Sequence, residues 1–475
     1  MKKMSLEFVM NAVQGRLLSQ LQTEFIGVGS DTRKDLKGQI FIALKGDNFD
    51  AHSFLAQAKA QGAAALIVHD SSKVTEDLKS QLTVILVKDT LLALHDLARA
   101  QRRRSSALVL GITGSNGKTT SKEFTAILFS QYRKTHYSKG SFNNHWGVPF
   151  TLLEEFEGAE ITISEMGMNH AHELEVLAKV NEPDVVVCSV VGQEHIEHFG
   201  SLEKIAEANE EIYKFSPAKA QRIYNLDNSF TAQMYSRAQA QYPQSKRIWT
   251  FSEKDSKADV FLQLKDLEMS GFTVRGRIGS QEAEARVPVF GAHNLTNVMV
   301  AAALGLAAGL TPDQIWKALP LFKTNWGRNQ LVQTKTGAEI LFDGYNANPD
   351  SMKALIDNVR LIRNAGKKIG VFGQMLEMGP FASEAHRELG EWAGRAGFDY
   401  LWFYGESAPE FQAGAKASGF SKNLMISNAY EDSLATELAS VLNRGDIALV
   451  KGSRGMKLER FVLACQPTNF SLTKE

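Results

Sequence analysis

The stretch Thr113-Gly114-Ser115-Asn116-Gly117-Lys118-Thr119-Thr120 constrains this chain more than any other. It follows the apolar run Ala107-Leu108-Val109-Leu110 and opens a helix-compatible segment from Ser121. Strand, glycine-rich turn and helix in that order is the layout of a phosphate-binding loop, where glycines let backbone N–H groups approach phosphate oxygens. Gly114 and Gly117 would allow that approach, Lys118 would add a point charge, and the Thr119 hydroxyl could reach Mg²⁺. The strict G-x-x-x-x-G-K-[ST] signature fails at one position, because Ile112 stands where its first glycine would fall. A glycine-rich βα turn with a chance Lys-Thr is the alternative. The loop points to a nucleoside triphosphate and leaves open what the phosphate is used for.

A chain of 475 residues is long enough for two to four domains. Lys plus Arg and Asp plus Glu stand at 53 each, so charge balance gives no reason to expect nucleic acid or a membrane surface as a partner. The two cysteines, Cys188 and Cys465, lack metal-ligand spacing and fit a reduced cytosolic protein better than a disulfide-built one. Met1-Lys2-Lys3-Met4 is basic, but Glu7, Asn11 and Gln14 interrupt the apolar core that a signal peptide needs. No apolar run reaches the ~18 residues that span a bilayer, and the small-residue run 301–309 reads as a tightly packed buried helix. A cytoplasmic monomer without membrane insertion is expected.

Residues 1–104 carry short β-like runs at 39–44 and 64–68, with helices at 52–62 and 91–100. The polar segment 101–106, with Arg102, Arg103 and Arg104, reads as a solvated linker rather than an anion site. From 107 the pattern alternates β and α, with strand-like runs at 108–113, 161–165, 185–191 and 223–225. Such alternation predicts a doubly wound, mostly parallel sheet with ligands at the C-terminal strand ends. Segment 260–289 reads as antiparallel hairpins and 295–309 as a helix. A second alternation follows, with strand-like runs at 340–343, 369–372, 400–404 and 447–450. The expectation is a three-domain α/β protein divided at about 105 and 322: a small α/β domain (1–104), a central phosphate-loop domain (105–321) and a Rossmann-like domain (322–475).

Several strand ends carry candidate chemistry. Ile161-Thr162-Ile163-Ser164 ends in Glu165-Met166-Gly167, and a carboxylate beside a phosphate loop suits Mg²⁺, a hard cation that prefers oxygen ligands. A helix-capping or solvated glutamate is the competing role for Glu165. The third strand ends in Gly192-Gln193-Glu194-His195-Ile196-Glu197-His198, whose acids and imidazoles suggest a metal or phosphate role, against that of ordinary buried or surface histidines. The stretch 139–149, with Asn143 and Asn144, is a polar, glycine-bearing loop. Asp343-Gly344-Tyr345-Asn346-Ala347-Asn348-Pro349 closes a strand of the last domain, and the proline suits the first turn of a helix over 350–363. Asp343 could bind a ribose or order a neighbouring loop.

Together these motifs resemble the Mur ligase superfamily, ATP-dependent amide-forming ligases of peptidoglycan precursor synthesis, over nearly the whole chain. The resemblance makes 113–120 the ATP loop, with Gly114, Ser115, Asn116, Gly117, Lys118, Thr119 and Thr120 on the nucleotide. It makes Thr119, Glu165 and His195 the magnesium positions, and Asn143-Asn144-x-x-Gly147-x-Pro149 the next motif. Gly291-Ala292-His293-Asn294-Leu295-Thr296-Asn297 resembles the family's nucleotide-contacting segment, through Asn294, and Gly327-Arg328 its phosphate-reaching arginine. Within the family, Asp343 to Met352, Phe372 to Gly379 and Lys451-Gly452-Ser453-Arg454 resemble the member that adds D-alanyl-D-alanine to UDP-N-acetylmuramoyl-tripeptide. That implies Lys118, His195 and Arg328 as catalytic residues, Asp343 at the nucleotide, and Asn346, Asn348, Lys451, Ser453 and Arg454 at the substrates. Ser30-Asp31-Thr32-Arg33 resembles part of the UDP-sugar region, implying Ser30, Thr32 and Arg33, with Asn143 and Asn144, as substrate-binding.

Two segments test the resemblance. Asp357-Asn358-Val359-Arg360 mimics the diaminopimelate motif of the preceding ligase, but it lacks the proline and falls inside a predicted helix. Many family members carry a carbamylated lysine that helps hold a second Mg²⁺, whereas this chain reads Ile205-Ala206-Glu207-Ala208-Asn209-Glu210-Glu211-Ile212. Asn209 cannot form a carbamate, and Glu210 lies about 100° around a helix from it. A second metal would then be held more weakly, or through the Asn209 amide oxygen and water. Another amino-acid ligase of the superfamily and a catalytically impaired nucleotide-binding regulator are the alternative functions. The residues leave open whether the acceptor tripeptide ends in diaminopimelate or lysine.

Overall fold

The computed structural model describes residues 3–46, 48–241, 248–362 and 366–472. Among these residues, nine-, six- and five-stranded sheets carry the fold. In the nine-stranded sheet the strand Leu108–Thr113 lies between Ile161–Glu165 and Val185–Cys188, all parallel. The chain leaves Leu108–Thr113 toward one side of the sheet and later returns to the other. That reversal opens a crevice at the strands' C-terminal ends, where ligands of doubly wound folds sit. Register places Ile112 opposite Glu165 and Thr113 opposite Cys188, so the carboxylate sits level with the residue just before the loop.

These strands are buried almost throughout because both faces are covered. Helices Lys118–Ser130 and Asn294–Ala307 pack against each other on one face, while Glu173–Asn181 and Leu202–Phe215 pair on the other. Tyr213, on the last of these, reaches between two strands: its hydroxyl accepts from the Cys188 N–H (2.8 Å) and donates to the Ile223 carbonyl (2.6 Å). The sheet ends in the antiparallel strands Val260–Glu268, Gly271–Ile278 and Gln281–Val287, the hairpins that the alternating pattern predicts.

The six-stranded sheet runs Gln330–Gln333, Glu339–Asp343, Ile447–Lys451, Lys368–Gly373, Tyr400–Tyr404, Asn423–Ser427, parallel except at its first pair. After Asp343 the chain turns into helix Pro349–Leu361, whose N-cap Asn348 accepts from the Ser351 N–H, with proline in the first turn. Met352 and Leu355 of this helix share one buried apolar cluster with Met166, Ile205 and Phe290, so the two larger sheets are joined by continuous packing.

The five-stranded sheet holds Arg16–Ser19, Thr83–Leu86, Ala65–Val68, Ile40–Ile42 and Val28–Gly29. One expectation fails beside it. Residues 101–104 are not linker but the end of helix Thr90–Arg104, N-capped by Asp89. Arg102 is buried, pairing with Asp184 (2.6 Å) and donating to the Glu182 carbonyl, while Arg103 pairs with Glu182 (2.5 Å). These arginines bolt the helix to the turn before Val185, a pairing about 80 residues distant that no local charge pattern records.

Replacing Tyr213 by Phe leaves a buried N–H and a buried carbonyl unpaired, at a cost of about 1–3 kcal/mol. The expected outcome is a lower urea midpoint with an unchanged denaturant slope; an unchanged midpoint would contradict the bridging role.

Candidate functional site

At the crevice, the turn after Thr113 is built so tightly that its glycines are obligatory. Gly114 (φ 129°) and Gly117 (φ 83°) lie in backbone regions that side chains avoid, and a β-carbon at either would overlap Ser189 Oγ or Asn297 Oδ1. Ser115 N–H donates to the Val190 carbonyl (2.7 Å), and Ser115 Oγ accepts from the Gly192 N–H (2.9 Å). The loop and the turn after Val185–Cys188 thus hold one another. A cavity of about 630 Å³ opens there, lined by residues 115–120 of the loop and by groups from both larger sheets.

Thr119 Oγ1 donates to Glu165 Oε1 (3.0 Å), which also accepts from Asn143 Nδ2 (2.9 Å). Glu165 Oε2 is buried and has no hydrogen-bond partner among the described residues; its nearest cation is Lys122 Nζ at 3.7 Å. Lys122 is itself fully buried and donates to the Ser138 and Gly140 carbonyls. A threonine hydroxyl beside a buried carboxylate with an open oxygen fits a hard divalent cation, which needs only one or two protein oxygens when phosphates and water supply the rest. No group of three His, Cys, Asp or Glu side chains is preassembled around a cation among the described residues.

His195 lines the same cavity with a left-handed backbone (φ 52°). Its Nδ1 lies 2.8 Å from Glu377 Oε2 and its Nε2 3.7 Å from Glu194 Oε1. Burial pulls the imidazole down, but the Glu377 and Glu194 carboxylates outweigh it and hold the ring above its ordinary range. No hydrogen bond or ion pair joins His195 to Thr119 or Glu165 among the described residues.

From the other sheet, Arg328 enters from a turn made by Gly327 (φ 66°) and Asn329 (φ 50°). Its Nη2 reaches Thr119 Oγ1 at 3.3 Å, its guanidinium lies over the Tyr345 ring at 4.2 Å, and its Nε is buried without a hydrogen-bond partner. Asp343 does order a neighbouring loop: it accepts from the Asn329 N–H (3.2 Å) and pairs with buried Lys451 (2.5 Å). Lys451 also donates to the Asn346 carbonyl (3.0 Å), so two of its three N–H donors are held within the fold while it borders the cavity. Asn348 Nδ2 donates to Asn116 Oδ1 (2.9 Å), fastening the second sheet to the loop.

Some predicted residues are placed as supports. Asn294 is buried, donating to the Phe290 carbonyl and accepting from Asn297 Nδ2, each at 2.8 Å. Asn144 Oδ1 accepts from the Trp146 and Gly147 N–H groups and starts the next helix. Ser453 accepts from the Leu376 N–H, and Arg454 pairs with Glu459 and lies over Trp326; neither lines the cavity. Ser30, Thr32 and Arg33 line a separate groove of about 1010 Å³, walled by Phe49, Phe142 and Trp146. There the Arg33 guanidinium grips Asp31 and holds its carboxyl down at about 2. The segment 139–147 borders both spaces: Asn143 and Asn144 face the first, Phe142 and Trp146 the second.

Asn209 is buried in helix Leu202–Phe215 beneath the loop and does not line the cavity. Its Nδ2 donates to the Ile205 carbonyl, and its Oδ1 faces the Thr113 hydroxyl (3.5 Å) and the Cys188 thiol (3.7 Å). Burial pushes that thiol up to about 12, so it stays protonated.

Sequence reasoning missed a clasp behind Arg328. Asn358 Oδ1 accepts from the Ala292 N–H (2.7 Å), which turns its Nδ2 to His293 Nδ1 (3.2 Å). Burial brings His293 down to about 4, against a smaller upward pull from Asp343, so the ring is neutral. A neutral ring accepting at Nδ1 carries its proton on Nε2. Asn329 Nδ2 is the atom that lies 2.9 Å from Nε2, while Asn329 Oδ1 is buried without a hydrogen-bond partner, so turning the amide over, with Oδ1 toward Nε2, is the assignment that satisfies both groups. The Asp357-to-Arg360 segment, discounted as a substrate motif, does lie in a helix and contributes Asn358 to this clasp. Glu377, the partner of His195, lies in a segment that the resemblance had marked without assigning it.

Three family models match the chain: the Mur ligase family catalytic domain over residues 24–102, the Mur ligase middle domain over 112–305, and the Mur ligase glutamate ligase domain over 327–454. Curated relatives include the UDP-N-acetylmuramoyl-tripeptide–D-alanyl-D-alanine ligases of Bacillus subtilis (36% identical; 97% of this chain, 98% of the relative) and Escherichia coli (34%; 92% and 93%). Similar solved structures include MurF from Acinetobacter baumannii (TM-score 0.86, 28% identity, 98% of this chain and 99% of that one). MurF from Thermotoga maritima in complex with ADP is another (TM-score 0.77, 27% identity, 92% and 96%). With family models matched in series along most of its length, and full-length relatives above 30% identity, the chain belongs to the Mur ligase family.

Proposed function

We propose that this chain is an ATP-dependent amide ligase that joins D-alanyl-D-alanine to UDP-N-acetylmuramoyl-tripeptide in peptidoglycan precursor synthesis. One observation carries the reading: loop residues 115–120 and Glu165 share a single cavity with Arg328, Asn346 and Asn348 from the second sheet. This occurs in a chain similar to such ligases along almost its whole length. ATP takes the loop, the nucleotide-sugar takes the aromatic groove, and the segment 139–147 lies where the peptide passes from one to the other.

The tripeptide carboxylate attacks the γ-phosphorus of ATP, forming an acyl phosphate and releasing ADP. The dipeptide amine then attacks the acyl carbon, loses a proton, and phosphate leaves as the amide forms. The first step brings two anions together, so charge neutralisation dominates its barrier. Lys118 and Arg328 are the cations for that task, and both line the cavity. Mg²⁺ bound with the nucleotide supplies further neutralisation, and Thr119 and Glu165 are the residues that would hold it, with His195 at the cavity wall. Holding three substrates between the sheets supplies much of the remaining acceleration. Asn209, screened by Thr113 and Cys188, offers no carboxylate for a second cation. Nucleotide-linked substrates and ATP suit a cytoplasmic enzyme, no helix among the described residues is long and apolar enough to cross a membrane, and one chain carries both spaces, which suits a monomer.

Two outcomes test this reading. Lys118→Ala abolishes acyl-phosphate formation, followed as phosphate release, while affinity for the UDP-linked substrate stays within about twofold; parental turnover in that variant would refute the assignment. Asn209→Lys lowers the Mg²⁺ concentration for half-maximal rate, because a carbamylated lysine adds a negative oxygen donor. An identical magnesium titration, with the lysine shown to be carbamylated, would refute the weakened second site.

A further inference from the structure

The ammonium of Lys118 has three N–H donors, and all three are spent. One goes to the Gly114 carbonyl (2.7 Å), the other two to Glu194 Oε1 and Oε2 (2.7 and 2.6 Å). Both side chains are about nine-tenths buried, at 10% and 11% exposed, so water does little to weaken the pair. Glu194 is not on a loose tip. The Gly192 N–H donates to Ser115, the Gln193 N–H donates to Asp350 in the first turn of helix Pro349–Leu361 (2.7 Å), and the Glu194 N–H donates to the Gly192 carbonyl. The carboxylate is thus fixed at the place where a phosphate-binding lysine would meet its phosphate.

We propose that Glu194 is a positioning residue that guards Lys118 and makes nucleotide binding depend on the divalent cation. The proposal rests on the reading of 113–120 as the nucleotide loop. An incoming phosphate takes over two donors of Lys118 and sets the Glu194 carboxylate free. With no metal, that leaves an uncompensated carboxylate in a buried site beside phosphate oxygens, an arrangement that costs more than it returns. His195 Nε2, at 3.7 Å and already drawn to Glu377, relieves it in part. A nucleotide arriving with Mg²⁺ brings the positive partner that the displaced carboxylate needs. Arg328 has no carboxylate partner among the described residues: its Nη2 donates to Thr119 at a long 3.3 Å and its Nε is buried without a partner.

The test is calorimetric binding of ADP to the full chain, in EDTA and in MgCl₂, for the parent, Glu194→Gln and Glu194→Asp. Glu194→Gln is expected to bind metal-free ADP about tenfold tighter than the parent, the size of effect that one charge-assisted pair supports. The ratio of metal-free to magnesium-loaded dissociation constants shrinks in the same variant. Glu194→Asp keeps the charge and stays near the parent, which guards against a folding artefact in the amide. Unchanged or weaker metal-free binding in Glu194→Gln, with its melting temperature preserved, would overturn the guard. Lys118→Ala run alongside separates the two claims: if it leaves ADP affinity unaltered, the nucleotide-loop reading fails, whatever Glu194 does.

Discussion

Asn297 occupies the space into which any side chain at position 117 would project, and the rest of the site depends on that close approach. Its amide oxygen accepts from Ser121 in the first turn of helix Lys118–Ser130, and its amide nitrogen donates to Asn294, which in turn holds the Phe290 carbonyl. Helix Asn294–Ala307 therefore sets the height of the phosphate loop. The residues just before that helix, Ala292 and His293, are the ones that Asn358 grips from the second sheet. One tight helix–helix contact fixes the loop and, through its own start, the docking of the other half of the cavity.

The second theme is charge held in reserve. Lys118 is paired with Glu194, Lys451 with Asp343, and Lys122 with Glu123 at 3.0 Å and Glu165 at 3.7 Å. Buried pairs of this kind add little to stability, because the desolvation they cost is of the same order as their attraction. Their value lies in position. Asp343 and Lys451 brace the turn that aims Arg328, and Lys122 pins the loop 138–140 behind Glu165. In a site that must gather several anions, prepaired cations are available without the protein carrying a bare positive cluster between turnovers.

How much of this was legible depends on how local each signal is. Glu165 and Asp343 were visible because a strand's apolar run ends at a readable place and ligands of parallel sheets collect there. Gly114 and Gly117 were visible because the turn itself demands them. Arg102 and Arg103 were misread, since their partners Asp184 and Glu182 lie about 80 residues away and a charge run looks solvated until its partner is placed. Ser453 and Arg454 sit in a motif close to the site, yet they turn to Leu376, Glu459 and Trp326. Asn294 borders the cavity, and its bracing of Phe290 and Asn297 from within is what the motif alone does not record.

By itself the sequence determined the alternation of strand and helix, the mixed α/β class, the hairpins after residue 260 and the glycine-bearing loop, because periodicity and turn chemistry act over a few residues. It also carried the family, through motifs that each span fewer than a dozen positions. Tertiary structure alone decided which carboxylate each buried cation meets, Glu194 for Lys118 and Asp343 for Lys451, since those carboxylates are brought in from elsewhere in the chain. It decided that Asn209 faces Thr113 and Cys188 rather than the cavity, and that His293 is a neutral link between Asn358 and Asn329. The reason is common to all of these: burial and pairing are properties of the packed neighbourhood, and a chain's neighbourhood exists only once it has folded.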